Sequence, residues 1–103
     1  MIVAAPPPPA RVQVLAQEFS FTLSRVTLPA GEVIVELVNR GEDAHDLRME
    51  RAGGARVYAW PTVQPGTHVD REVRLVPGTY LLWCSIADHR ARGMTARLVV
   101  RRR

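Results

Sequence analysis

The sequence predicts an all-β domain, an antiparallel sandwich or barrel of about seven or eight short strands. Three observations carry that expectation. Apolar and polar residues alternate with period two along most of the chain. Turn-forming Pro, Gly and Asn recur at short intervals between the alternating runs. No window sustains the 3.6-residue apolar stripe of a helix, and the best helical candidate is a turn between Ser85 and Gly93.

Taken in order, Met1-Ile2-Val3-Ala4-Ala5 is too short, and lacks the positive flank, to act as a signal peptide or a membrane span. Pro6-Pro7-Pro8-Pro9 enforces an extended, unpaired spacer. Two readings of it stand: a tether to a preceding leader or membrane anchor, or a tail of no consequence. Residues 1–10 are read as a flexible Pro-rich segment and residues 11–103 as the domain. Phe19, Phe21 and Leu23 alternate with Ser20, Thr22 and Ser24, a half-buried strand. Pro29-Ala30-Gly31 turns the chain. Glu32 to Val38 is apolar at nearly every position, which predicts a central strand covered on both faces. Asn39-Arg40-Gly41 turns it again.

His45, Leu47 and Met49 then share one parity, and Asp46, Arg48 and Glu50 the other. Gly53-Gly54 ends that strand. Pro61 and Pro65-Gly66 bound what reads as an irregular stretch carrying Tyr58 and Trp60. Val69, Val73 and Leu75 oppose His68, Asp70, Glu72 and Arg74, with Arg71 out of pattern. After Pro77-Gly78, Tyr80, Leu82 and Cys84 alternate with Thr79, Leu81 and Trp83. Last, Met94, Ala96, Leu98 and Val100 oppose Thr95, Arg97, Val99 and Arg101.

Composition narrows the function classes. The chain of 103 residues is long enough for one core and too short for a two-lobed enzyme. Its 47% apolar and 23% charged residues are a globular balance. A single cysteine excludes an intrachain disulfide framework, a four-cysteine zinc site and a two-cysteine binuclear centre. No run of about 18 apolar residues is present. All 14 basic residues are arginine, against 10 acids, for a net charge of +4. That charge is uneven: residues 1–85 hold 8 Arg and 9 acids, while residues 86–103 hold 6 Arg and 1 acid. The tail Arg101-Arg102-Arg103 supplies three of these. No aromatic-and-basic strip or nucleic-acid motif accompanies it, so a solvated terminus is preferred over nucleic-acid binding.

The chemistry starts at the lone thiol. Cys84 ends a strand on its inward parity, His89 follows five residues later, and Met94 five after that. Met94 opens the final strand on the inward parity, and His45 opens its own strand likewise. A His at +5 and a Met at +10 from a given Cys arise by chance roughly once in a thousand at this chain's own frequencies. Antiparallel strands bring such ends together at one pole of a sandwich. Two imidazoles, one thiolate and a weak axial thioether make the blue-copper ligand set: the sulfur donors suit Cu(I), and imidazoles suit both oxidation states.

His45 together with Cys84-Ser85-Ile86-Ala87-Asp88-His89-Arg90-Ala91-Arg92-Gly93-Met94 resembles the type 1 copper motif of the cupredoxins. The spacing is nearer the auracyanin, halocyanin and rusticyanin kind than that of plastocyanin. Asn39-Arg40-Gly41 ahead of the first histidine and Pro77-Gly78-Thr79-Tyr80 ahead of the cysteine strand support it. The resemblance spans residues 12–101 and implies an eight-stranded Greek-key sandwich. It further implies one copper ion held equatorially by His45, Cys84 and His89 and axially by Met94. The implied role is a monomeric electron carrier between redox proteins, periplasmic or otherwise extracytoplasmic. The family usually has Asn after the first histidine; here it is Asp46, which accepts from Ser85 or backbone N–H groups but donates nothing. That departure bears on the hydrogen bonding behind the ligands.

Several residues keep two readings. Trp83 is either an exposed aromatic giving a second electron route or a side chain packed under a neighbouring loop, the latter preferred. Arg90 and Arg92 flank His89 and either steer an acidic redox partner or solvate the loop. His68 reads as a surface residue and Met49 as core. Two other function classes remain: a copper-handling module for delivery or storage, and an Arg-rich adhesion module with a degenerate site. An enzyme is disfavoured, because copper oxidases and nitrite reductases need further copper sites that three histidines cannot supply.

Overall fold

The alternating runs fold as strands stacked in two sheets, in a computed structural model that describes residues 4–103. The part of the N-terminal reading that falls on Met1, Ile2 and Val3 lies outside the described residues. Residues 4–9 are exposed and carry no regular structure. The strands are β1 (Ala10–Gln17), β2 (Ser20–Leu23), β3 (Thr27–Pro29), β4 (Gly31–Asn39), β5 (His45–Arg51), β6 (Val57–Val63), β7 (His68–Leu75), β8 (Gly78–Trp83) and β9 (Thr95–Arg101). No helix forms among the described residues.

One sheet has the order β2-β1-β4-β7 and the other β3-β9-β8-β5-β6, so the chain passes repeatedly between layers as a Greek-key sandwich. Pairing is mostly antiparallel, but β1·β4 and β3·β9 are parallel. Those crossovers are invisible to period-two patterning, which reports faces and not neighbours. The β1·β4 register sets Ala16 opposite Asn39. It therefore carries the turn after β1 to the same pole as the loop after β4.

Side chains on the inner parity of both sheets form one core, including Val12, Val14, Val33, Val35, Leu37, Leu47, Met49, Tyr80, Leu82 and Leu98. Each such aliphatic side chain contributes about 1.5–3 kcal/mol when fully buried. Trp60 is its largest member, and its indole Nε1–H donates to Val35 O across the sandwich at 3.1 Å.

Four expectations need correction. Residues 57–63, read as irregular, are strand β6; Pro61 is tolerated because β6 lies at the edge of its sheet. The β4 run is central but fully covered on one face only. Ile34 on the other face pairs beside Arg11 and Glu72, and those chains shield it only in part. Phe19 lies in the turn before β2 and not in the strand. Met94 precedes β9 by one residue and does not open it. As expected, Met49 is core and His68 is exposed.

Candidate metal centre

The β1–β2 turn, the β4–β5 loop and the β8–β9 loop converge at one pole. Asn39, the last residue of β4, is buried and spends its whole amide there. Its Nδ2 donates to Asp43 O at 2.8 Å and to Val63 O at 2.9 Å, and its Oδ1 accepts from Gly41 N–H at 2.8 Å. This pins the loop that delivers His45 as the first residue of β5. On the other side, Cys84 follows β8 directly, and its N–H donates to Met94 O at 3.2 Å. The loop between them winds in a single helix-like turn, with His89 N–H donating to Ile86 O and Arg92 N–H to Asp88 O. Gly93 closes it at φ +113°, a conformation that favours glycine. Met94 N–H returns to His89 O at 3.1 Å.

These contacts bring together the residues that the sequence singled out. His45, Cys84 and His89 are buried, and each offers one ligand atom within 4.8 Å of the other two. Cys84 Sγ lies 3.5 Å from His89 Nδ1 and accepts Asp46 N–H at 3.5 Å. The two imidazole centroids are 5.0 Å apart. Met94 is fully buried and tied to the same loop through its backbone.

The far nitrogens of both rings face carboxylates. Glu18 Oε1 lies 3.2 Å from His45 Nε2, and Asp43 Oδ2 lies 3.6 Å from His89 Nε2. That leaves His45 Nδ1 as the one buried side-chain polar atom among the described residues with no hydrogen-bond partner. An orphaned buried nitrogen of this kind costs about 1–3 kcal/mol unless something binds it.

Electrostatics follow from the same contacts. Burial pushes the Cys84 thiol above its ordinary range, opposed in part by N–H groups of Asp46 and Ile86. Glu18 is held below the usual carboxylate range, chiefly because Asp43 N–H donates to it. Glu18 and Asp43 were not among the residues singled out from the sequence. Acidic side chains in turns carry no signal by themselves, and Glu18 reaches His45 only through the parallel β1·β4 pairing.

Asp46 replaces the amide with a carboxylate that is fully employed. It accepts from Ser85 N–H at 2.7 Å and from the Ser85 hydroxyl, and it pairs with Arg48 at 3.1 Å. Trp83 is half-buried, with the guanidinium of Arg90 from the β8–β9 loop 4.5 Å above its ring. Arg92 pairs with Asp88 at 2.8 Å and lies over Phe19, which packs 5.0 Å from His89. The terminal arginines are exposed, yet Arg103 Nε donates to Ala30 O at 3.1 Å.

Solved structures with the same architecture are numerous. Reduced auracyanin from Roseiflexus castenholzii superposes with a TM-score of 0.73 at 15% identity, over 89% of this chain and 97% of that one. Auracyanin A from Chloroflexus aurantiacus, a "blue" copper protein, gives 0.74 at 17% identity, over 91% and 100%. A purple cupredoxin from Nitrosopumilus maritimus gives 0.61 at 20% identity, over 89% and 99%.

This chain has the cupredoxin fold.

The cupredoxin fold accounts for the sandwich and for the pole at which the three loops meet. At these identities the likeness is one of fold. No protein-family model matches the sequence, and no curated protein sequence matches it.

Proposed function

We propose that the pole is a type 1 copper centre and that the protein carries one electron at a time between redox partners. In this reading His45, Cys84, His89 and Met94 would hold the ion, the first three as the grouped nitrogen and sulfur donors. One observation carries it: a buried imidazole nitrogen without a partner, grouped with a buried thiol and a second imidazole. The donor set fits copper, since two imidazoles with one soft sulfur satisfy both oxidation states. A bound copper ion would supply a one-electron couple. The chain supplies the rest. Strand ends and the Asn39 amide hold the ligands in place, so little has to move between oxidation states. Core side chains exclude water from the sulfur, and Asp46 N–H and His89 Nδ1 neighbour it.

A partner approaches over His89, the ligand nearest the surface, in a cell compartment outside the cytoplasm. Arg90 and Arg92 bring positive charge to that face, although each is engaged within the chain, by Trp83 and by Asp88. Residues 4–9, exposed and without regular structure, serve as a spacer ahead of a domain that begins with β1 at Ala10, one residue before the boundary expected from the sequence.

The test is the visible spectrum and voltammogram of the protein titrated with Cu(II). The reading expects an intense thiolate-to-copper band, lost in Cys84→Ser, and a reversible one-electron couple. A protein that took up copper without a stable couple would instead be a copper-handling module. Absence of the band, or its survival in Cys84→Ser, would refute a type 1 centre.

A further inference from the structure

Each imidazole of the proposed centre is backed by a carboxylate, and the two contacts are unequal. Glu18 approaches His45 Nε2 at 3.2 Å, while Asp43 stands 3.6 Å from His89 Nε2. The same Glu18 oxygen also accepts the N–H groups of Glu42 and Asp43, which immobilises it. The Glu18 side chain is 25% exposed and that of Asp43 51%, so solvent screens Glu18 less.

Two consequences follow from elementary chemistry. An ionised carboxylate accepts hydrogen bonds and donates none, so the His45 nitrogen facing it must carry the ring proton. The lone pair is then on Nδ1, the buried atom with no partner. Secondly, a fixed negative charge behind a ligand favours the more highly charged state of a bound metal.

We propose that Glu18 is a positioning residue that presents His45 Nδ1 to the metal and biases the centre towards Cu(II), lowering its reduction potential. Asp43 acts in the same sense, more weakly, on His89. This inference rests on the copper reading above.

The experiment has a metal-free arm and a copper arm, both on the full chain. Nitrogen-15 NMR of the metal-free protein reads the His45 tautomer directly, and a proton on Nε2 is expected. For the copper arm, Glu18→Gln removes the charge but keeps an acceptor for the two N–H groups, and Asp43→Asn is its counterpart. Loaded with Cu(II), Glu18→Gln is expected to keep the thiolate band and to shift the Cu(I)-over-Cu(II) preference by about tenfold or more. That is a rise in potential of ~59 mV or more for a one-electron couple. Asp43→Asn is expected to raise it by less.

A proton on Nδ1 in the wild-type protein, an unchanged potential in Glu18→Gln, or a larger shift in Asp43→Asn would overturn the proposal. Should Glu18→Gln not fold, the wild-type tautomer decides by itself. No thiolate band in the wild-type protein would sink the copper reading and this inference together. A band in both proteins with equal potentials would sink this inference alone.

Discussion

Replacing Asp46 separates what its charge does from what its shape does. In Asp46→Ala, Ser85 N–H loses its acceptor and the Ser85 hydroxyl loses a charge-assisted bond. An unsatisfied, part-buried donor costs about 1–3 kcal/mol, and a hydrogen bond to a charged group is worth about 1.5–3 kcal/mol. Arg48 is a third exposed, so its lost ion pair adds less than about 1 kcal/mol. Allowing for the partial exposure of Ser85, the expected loss is about 2–4 kcal/mol, a large share of a typical domain's stability.

Asp46→Asn behaves differently. Its carbonyl oxygen still accepts Ser85 N–H, and the hydroxyl can rotate to accept from the amide. Only the charge goes, for about 1 kcal/mol. Urea unfolding of the metal-free proteins measures both, and a double-mutant cycle with Ser85→Ala isolates the hydroxyl. An Asp46→Ala protein within about 0.5 kcal/mol of wild type would refute the account. So would an Asp46→Asn protein as damaged as Asp46→Ala.

Three further outcomes are expected. Asn39→Ala frees the loop ahead of His45 and strands Gly41 N–H, costing about 2–4 kcal/mol in urea unfolding and weakening metal binding measured by competition titration. Trp60→Phe keeps most of the packing and loses only the indole's hydrogen bond to Val35 O, for about 1 kcal/mol, whereas Trp60→Ala opens a cavity and costs about 3–5 kcal/mol, both read from thermal or urea unfolding. Because burial raises the Cys84 thiol, it is protonated at neutral pH without metal, and metal uptake displaces that proton. Calorimetry in buffers of different ionisation enthalpy should find about one proton released at pH 7, and none in Cys84→Ser. Affinity should accordingly rise as pH increases towards the raised thiol value.

Much of the site was legible because ligand chemistry and strand parity point to the same residues. Cys84, His89 and Met94 lie within one loop, so their closeness is local, and His45 joined them through its parity and its ligand type. Less of the fold was legible. The β6 strand was hidden by Pro61, whose missing N–H matters only if a neighbour needs it. The double coverage expected of β4 failed because a run of apolar residues does not say what lies opposite. The position of Asp46 was visible as a departure, and its acceptor role towards Ser85 followed from chemistry; its pairing with Arg48 did not.

By itself, then, the sequence determined the face of most strands and the turns between them, and it singled out His45, Cys84, His89 and Met94 as a candidate donor set, of which the structure groups the first three. Those properties depend on neighbours a few residues apart, where backbone geometry leaves few choices. Only the tertiary structure decided which strands pair, and so that β1 runs parallel to β4 and brings Glu18 to His45 across 27 positions of sequence. Pairing between distant strands depends on how the whole core closes, and no local pattern encodes it.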